Sequence, residues 1–199
     1  MAAGLRRAHL GRALHLDPSH VEARTLFGWI QMEIRGDYAS AATEYRKVIE
    51  IKPESAEARN NLGVALEKVG DLEGAIAAFT QAIALRGDYG EAWSNRGWAY
   101  AELKRWREAR RDFEQGLKIN PRDDGALYGL SRTLKEARDY AGAGQALRTL
   151  TARTSNFVYW LEWGQLQLVR YYWVLLVVAG GAFLHARYLK AKARRQLDG

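Results

Sequence analysis

The feature that most constrains this chain is a pattern stated twice over residues 56–123 at one spacing. Ala58, Leu62, Gly63, Ala75, Phe79, Ala82 and Gly87 stand against Ala92, Arg96, Gly97, Ala109, Phe113, Gly116 and Pro121, each 34 positions further on. Self-similarity at that period is read as stacked supersecondary units, none of which buries its apolar face alone. Here each unit is expected to be two antiparallel helices, A and B. Small residues at Gly63/Gly97 and Ala75/Ala109 let the two backbones approach, and Phe79/Phe113 fill the gap between units.

The register extends in both directions. Residues 19–53 form a unit in which Ser19 and Glu22 fit a capping box, with a helix expected to start near His20. Gly36-Asp37 reads as a helix-ending glycine followed by an N-cap, and Ala41, Tyr45, Val48 and Pro53 keep the B-helix spacing. Gly28, however, falls one place early, so one extra residue is expected around Trp29–Arg35. Gly70-Asp71 repeats the turn chemistry, and Asp88 with Glu91 offers another N-cap. In residues 124–155, Leu127, Leu130, Leu134, Tyr140, Ala143, Leu147 and Leu150 hold the register, with Ser155 in place of the closing proline. Before the first unit, Leu5, Leu10, Ala13, Leu14 and Leu16 make a helical stripe closed by Pro18, which reads as a B helix without its A helix. No basic-plus-apolar leader with a small-residue cleavage site is seen there. The start reads either as a trimmed repeat or as part of something longer.

The pattern resembles the tetratricopeptide repeat, whose unit reads roughly W-x-x-L-G-x-x-Y, then A-x-x-x-F, then A, then P. Trp93, Gly97, Tyr100, Ala109, Phe113 and Pro121 match in one unit, and Leu62, Gly63, Ala75, Phe79 and Ala82 in the other, with Arg59 and Gly87 departing. The resemblance implies an all-α, right-handed superhelical solenoid of antiparallel helix pairs over residues 1–155. The pairs are expected near 22–53, 56–88, 90–121 and 124–152, with turns at Gly36, Gly70, Lys104 and Arg138. It also implies a concave groove lined by A helices. By register the groove positions are Asn60, Val64 and Glu67; Ser94, Trp98 and Glu102; and Tyr128, Arg132 and Lys135. Trp98 and Tyr128 are the expected anchors, because aromatics dominate binding hot spots; the competing reading packs both between helices. Some members of the family clamp a partner's C-terminal carboxylate with lysine, asparagine and arginine. Val64 and Gly125 stand where such residues are needed, so binding of that kind is not expected.

The pattern breaks after residue 155. Asn156 can cap a helix beginning at Phe157, and Tyr171 to Leu184 carries no charge. Extended to residues 168–187 the apolar stretch reaches about 20 residues, roughly 30 Å of helix. Arg170 and Arg187 then sit near its ends, where they can snorkel, and Tyr171, Tyr172, Trp173 and Tyr188 mark an aromatic belt. The expectation is a C-terminal transmembrane helix over 168–187. A capping helix over 156–167 runs into it without a break, and a basic tail over 188–199 follows. A helix buried in a larger complex is the other reading. Gly180, Gly181, Ala182 and Ala186 supply small residues of the kind that let membrane helices pack closely.

Composition removes several classes of chemistry. There is no cysteine, hence no disulfide framework, thiol nucleophile or cysteine-held metal. Of four histidines, His9, His15 and His20 form no metal spacing with a carboxylate, and His185 reads as an interfacial polar residue. Gly63 and Gly97 follow no strand, so they are not phosphate loops. Of the net charge of +7, five bases against one acid place +4 in residues 185–199, which argues against a nucleic-acid surface on the body. Lys104, Arg105, Arg107, Arg110 and Arg111 cluster around one turn, either as a solvated face or as a dock for an acidic partner or anionic headgroups. No catalytic constellation, metal site or cofactor site is expected.

The expected function is therefore a membrane-anchored protein–protein interaction scaffold that presents its groove to partner proteins. The alternative is a structural or assembly subunit inside a larger membrane complex. Its partners are other proteins through the solenoid and the bilayer through 168–187, with other transmembrane helices as a further option and no nucleic acid. The solenoid is placed in the cytosol on a single-pass tail anchor, although five bases after the uncharged run 171–184 against Arg153 and Arg170 before it argue for the opposite orientation.

Overall fold

The computed structural model describes residues 16–17 and 19–197; the side chains at 173–175, 184, 186 and 188–197 are outside that description. All but the last residue of the helix expected over 1–16 also falls outside it. α1 (Val21–Trp29) continues into a π-helical turn (Ile30–Ile34). It is followed by α2 (Tyr38–Ile51), α3 (Ala56–Val69), α4 (Leu72–Leu85), α5 (Gly90–Glu102) and α6 (Trp106–Ile119). The last three helices are α7 (Asp124–Glu136), α8 (Tyr140–Arg153) and α9 (Phe157–Leu197). No strand occurs among the described residues. The starts of α2, α4, α6 and α8 fall 34 residues apart, as do those of α3, α5 and α7. The chain divides into two compact units, one ending at Ala137 and the other beginning at Arg138.

In the first unit α1 to α7 form an all-α repeat solenoid. Each helix packs on its chain neighbour, and the A helices also touch in succession, α3 with α5 and α5 with α7. Backbone chemistry sets the register. Among the described residues the four with positive φ are Gly36, Gly70, Lys104 and Arg138, again 34 apart. After α3 the Asp71 amide reaches back five residues to the Leu66 carbonyl, and after α5 Arg105 reaches Tyr100 in the same way, the pattern of a Schellman motif. Asp37, Asp71 and Asp139 then cap α2, α4 and α8 by accepting from the amides of Ser40, Gly74 and Gly142.

The one-residue excess in the first unit is taken up in the π-helical turn. Asp37 N–H there reaches back six residues, to the Gln31 carbonyl at 2.8 Å, so the insertion is absorbed before the turn and α2 starts in register. Two expected caps differ. The N-cap of α1 is His20, whose Nδ1 accepts from Ala23 N–H at 3.3 Å, while Ser19 bonds back to Asp17. α5 begins after Tyr89 with no side-chain cap, so Asp88 does not serve.

The core is built from the repeated small and aromatic positions. Ala41, Ala75 and Ala109 are fully buried, as are Tyr45, Phe79 and Phe113. A methyl carbon on Gly63 would stand 2.5 Å from Cε1 of Phe79, and one on Gly97 would stand 2.9 Å from Cε1 of Phe113. The helices close to a distance that only glycine permits. Phe113 also lies against Gly129 of the next repeat, so one ring seals two units.

In the second unit α8 packs on α9. Leu166 is the buried residue of α9 among its described side chains, at 3 % exposure. Trp160, on the segment expected to cap the solenoid, is 57 % exposed.

The expected single-pass span is not shown as one straight apolar helix. Among the described residues no single helix is long and apolar enough to cross a membrane. Phe157–Tyr172 and Leu176–Phe183 pass that test only together, and they are bent by 44° relative to each other. The helix runs without interruption from Phe157 to Leu197, as the lack of a proline predicts, but it is bent, and the charged and polar residues preceding Tyr171 dilute its apolar character.

Candidate protein-binding groove

The groove positions separate into two kinds. Asn60 is fully buried and Ser94 nearly so, at 5 % exposure. Asn60 Oδ1 accepts from Asn95 Nδ2 at 3.1 Å, and Asn60 Nδ2 donates to Glu91 Oε1 at 3.4 Å. Ser94 Oγ donates to Asp123 Oδ2 at 2.7 Å, while Asp123 Oδ1 caps α7 through Ala126 N–H. These side chains tie each A helix to the next, which satisfies polar groups inside the stack. Asn95 and Asp123 escaped sequence reasoning, although the 34-residue equivalence of Asn95 with Asn61 pointed at the same helix face.

The other positions reach the surface. Val64 is half-buried against the core that includes Phe79. Burial pushes the Glu67 carboxyl up, opposed by Lys68 and reinforced by Glu102; Glu102, Arg132 and Lys135 are exposed. Trp98 is half-buried and meets Phe113 edge-on at 5.3 Å between ring centroids. Its centroid is 6.3 Å from that of the half-buried Tyr128, and the Arg132 guanidinium lies 5.6 Å over it. Trp98 therefore both packs between helices and presents an aromatic face with a cation beside it.

A second opening was not anticipated. Between α1 and α3 a cleft of about 410 Å³ is lined by Glu22, Leu26, Trp29, Lys52, Glu57 and Asn61, among others. Leu26 and Trp29 are each 47 % exposed there. The extra residue displaced the apparent register of this helix, so its surface positions were not read.

Around the third turn the bases are partly neutralised. Arg105 pairs with Glu108 at 3.0 Å and Glu73 at 3.7 Å, and stacks on Tyr100 at 4.6 Å; Arg110 pairs with Glu114 at 2.7 Å. Lys104, Arg107 and Arg111 are exposed. On α9, Gly180, Gly181 and Ala182 are exposed, and a methyl carbon on either glycine would meet nothing within 4 Å. The Ala186 side chain lies outside the described residues. No group of metal-ligating side chains occurs among the described residues.

Family models agree with this geometry. A TPR repeat model matches residues 34–70, and a tetratricopeptide repeat model matches 56–89 and again 90–123. Residues 34–123 are tetratricopeptide repeats. The small glutamine-rich tetratricopeptide repeat-containing protein 2 of Mycosarcoma maydis is 28 % identical over 100 residues, 50 % of this chain and 28 % of that protein. A DnaJ homolog subfamily C member 7 homolog of Schizosaccharomyces pombe is 25 % identical over 145 residues, 65 % of this chain and 30 % of that protein. The chain thus spans less than a third of the length of either relative.

Solved structures share the fold. MamA superposes with a TM-score of 0.65 at 24 % identity, covering 78 % of this chain and 85 % of that one. The first TPR of Spaghetti (RPAP3), bound to the HSP90 peptide SRMEEVD, gives a TM-score of 0.58 at 24 % identity, with 59 % and 93 % covered. Tetratricopeptide repeats mediate protein–protein interactions.

Proposed function

We propose that the chain is a protein-interaction scaffold, not an enzyme, whose groove holds an extended segment of a partner protein. The observation that carries this reading is the Trp98–Tyr128–Arg132 cluster, an aromatic face with a cation over it on successive A helices. The buried Asn60 and Ser94 support the groove from behind, leaving Val64, Glu67, Trp98, Glu102, Tyr128, Arg132 and Lys135 as the contact residues. Crosslinking and mass spectrometry on the full chain test this. Trp98→Ala with Arg132→Gln should lose partners that the wild type retains, with helicity unchanged; an identical partner set overturns the groove reading. Because Val64 and Gly125 offer no hydrogen-bond donor side chain to a terminal carboxylate, the peptide SRMEEVD should not bind measurably.

The finer reading places this scaffold at a bilayer, with residues 1–155 as solenoid, 156–167 as cap, 168–187 as membrane segment and 188–199 as basic tail. Its support is the run of exposed apolar side chains on α9: Leu168, Val169, Tyr172, Leu176, Val178 and Phe183 are 53–67 % exposed. Such a surface calls for an apolar environment. The same run favours a second reading, a subunit whose α9 packs on helices of a larger membrane complex. Removing residues 168–199 should release a soluble, folded solenoid. Protease protection in sealed vesicles should find residues 1–155 on the cytosolic side, and protection of the solenoid reverses the orientation.

A further inference from the structure

We infer that the cleft between α8 and α9 is a binding site for the headgroup of an anionic phospholipid; this rests on the bilayer reading above. The cleft, about 530 Å³, is lined by Gln145, Arg148, Trp163, Gln167, Arg170 and Tyr171 together with small residues at the start of α8. That volume lies in the range of small-ligand clefts. No carboxylate lines it. Arg148 and Arg170 are both exposed, and among the described residues neither enters an ion pair. Two guanidinium groups at one cleft, with two carboxamides beside them, are a donor set for a phosphate diester and a second anionic group.

The surroundings select a lipid over a free anion. A second cleft of about 340 Å³ shares Arg148 and Trp163 and adds Trp160. Tryptophan, tyrosine and arginine side by side are the composition of a membrane–water interface. Immediately beyond, Leu168, Val169 and Tyr172 begin the exposed apolar run of α9, where acyl chains would lie. Gly144 keeps α8 close to α9, since a methyl carbon there would stand 3.2 Å from Nε2 of Gln167. A side chain at 144 would shift the Gln167 carboxamide by a few tenths of an ångström.

The test uses the full chain in neutral detergent, titrated with dihexanoyl phosphatidylserine, dihexanoyl phosphatidylcholine and inorganic phosphate. Phosphatidylserine should bind saturably, and Arg148→Gln with Arg170→Gln should weaken it by about 30-fold. The Arg148→Lys/Arg170→Lys pair should retain most of the affinity, while Arg46→Gln with Lys118→Gln should change nothing. An equal loss in that control pair, or phosphate binding as tight as the lipid, overturns the headgroup site. Co-flotation with vesicles of phosphatidylcholine alone separates the two readings. If wild type and the Arg148/Arg170 variant both enter them but neither prefers phosphatidylserine, the headgroup site falls and the bilayer reading stands. If the wild type enters no vesicle, the bilayer reading falls and the proposal with it.

Discussion

Arg96 grips both carboxylate oxygens of Asp112, Nε to Oδ2 at 2.6 Å and Nη2 to Oδ1 at 2.9 Å, between helices α5 and α6. The pair is largely buried, with side chains 13 % and 6 % exposed. Arg96 also donates to Thr80 of the preceding repeat at 2.9 Å, and its guanidinium lies 4.8 Å from the Trp93 ring centroid and 5.8 Å from that of Tyr100. Burial holds the Asp112 carboxyl above the usual carboxylate range even with Arg96 against it. One repeat earlier the equivalent positions carry Leu62 and Ala78, so the polar pair is one of two solutions the fold accepts.

Breaking that pair should be costly and replacing it should not. Arg96→Leu leaves a buried carboxylate uncompensated, and about 3–5 kcal/mol of stability should be lost. Arg96→Leu with Asp112→Ala, which copies the preceding repeat, should recover most of it. Denaturant melts of both singles and the double check this; a double variant no better than Arg96→Leu refutes it.

Tyr45 fills the position held by Phe79 and Phe113, but its buried hydroxyl has no hydrogen-bond partner. Tyr45→Phe should therefore stabilise the chain by about 1 kcal/mol. Burial, reinforced by Glu33 and Glu57, pushes the phenol from 10.0 up to about 12. A raised pKa in the fold means stability present below pH 10.0 that drains as pH approaches about 12. Across that window the wild type should lose stability faster than the Phe variant, as read by urea midpoints at successive pH values.

Ala75 and Ala109 are fully buried, whereas Lys104 is exposed. Ala75→Leu or Ala109→Leu should cost about 1–3 kcal/mol through overpacking. Charge removal at Lys104 or Arg105 should stay within about 0.5 kcal/mol. Thermal melts that rank the two sets in reverse contradict the register.

Lys104 holds φ at 58°, in a turn whose counterparts after the first two A helices are Gly36 and Gly70. A side chain in that conformation costs about 1 kcal/mol. Lys104→Gly should raise the melting temperature, and Lys104→Val should lower it, since a branched Cβ fits the left-handed region worst.

Glu33 is exposed within the π-helical turn that absorbs the extra residue. Deleting it should restore the 34-residue interval and leave a folded chain, whereas deleting Glu67 from α3 should shift Gly70 and Asp71 out of their turn and unfold the repeat. Circular dichroism melts of the two deletions decide the matter.

The period, the helix pairs and the turns are legible in the amino-acid order. Helix-breaking and helix-capping residues act over four or five neighbours, and buried alanine and aromatic positions recur wherever the stack repeats. That order even located the extra residue near Trp29–Arg35, because a register slip is visible as arithmetic. Only the packing of successive repeats settles which groove positions stay exposed. Asn60 and Trp98 both read as surface positions of an A helix, yet the next repeat buries Asn60 under Asn95 and leaves half of Trp98 open. Tertiary structure also brought Arg148 and Arg170 to one cleft, 22 residues apart on two helices, and bent α9 where no proline or helix-ending glycine announced it. Local preference is encoded in neighbouring residues; exposure and convergence depend on what another helix covers, and no short window of sequence contains that helix.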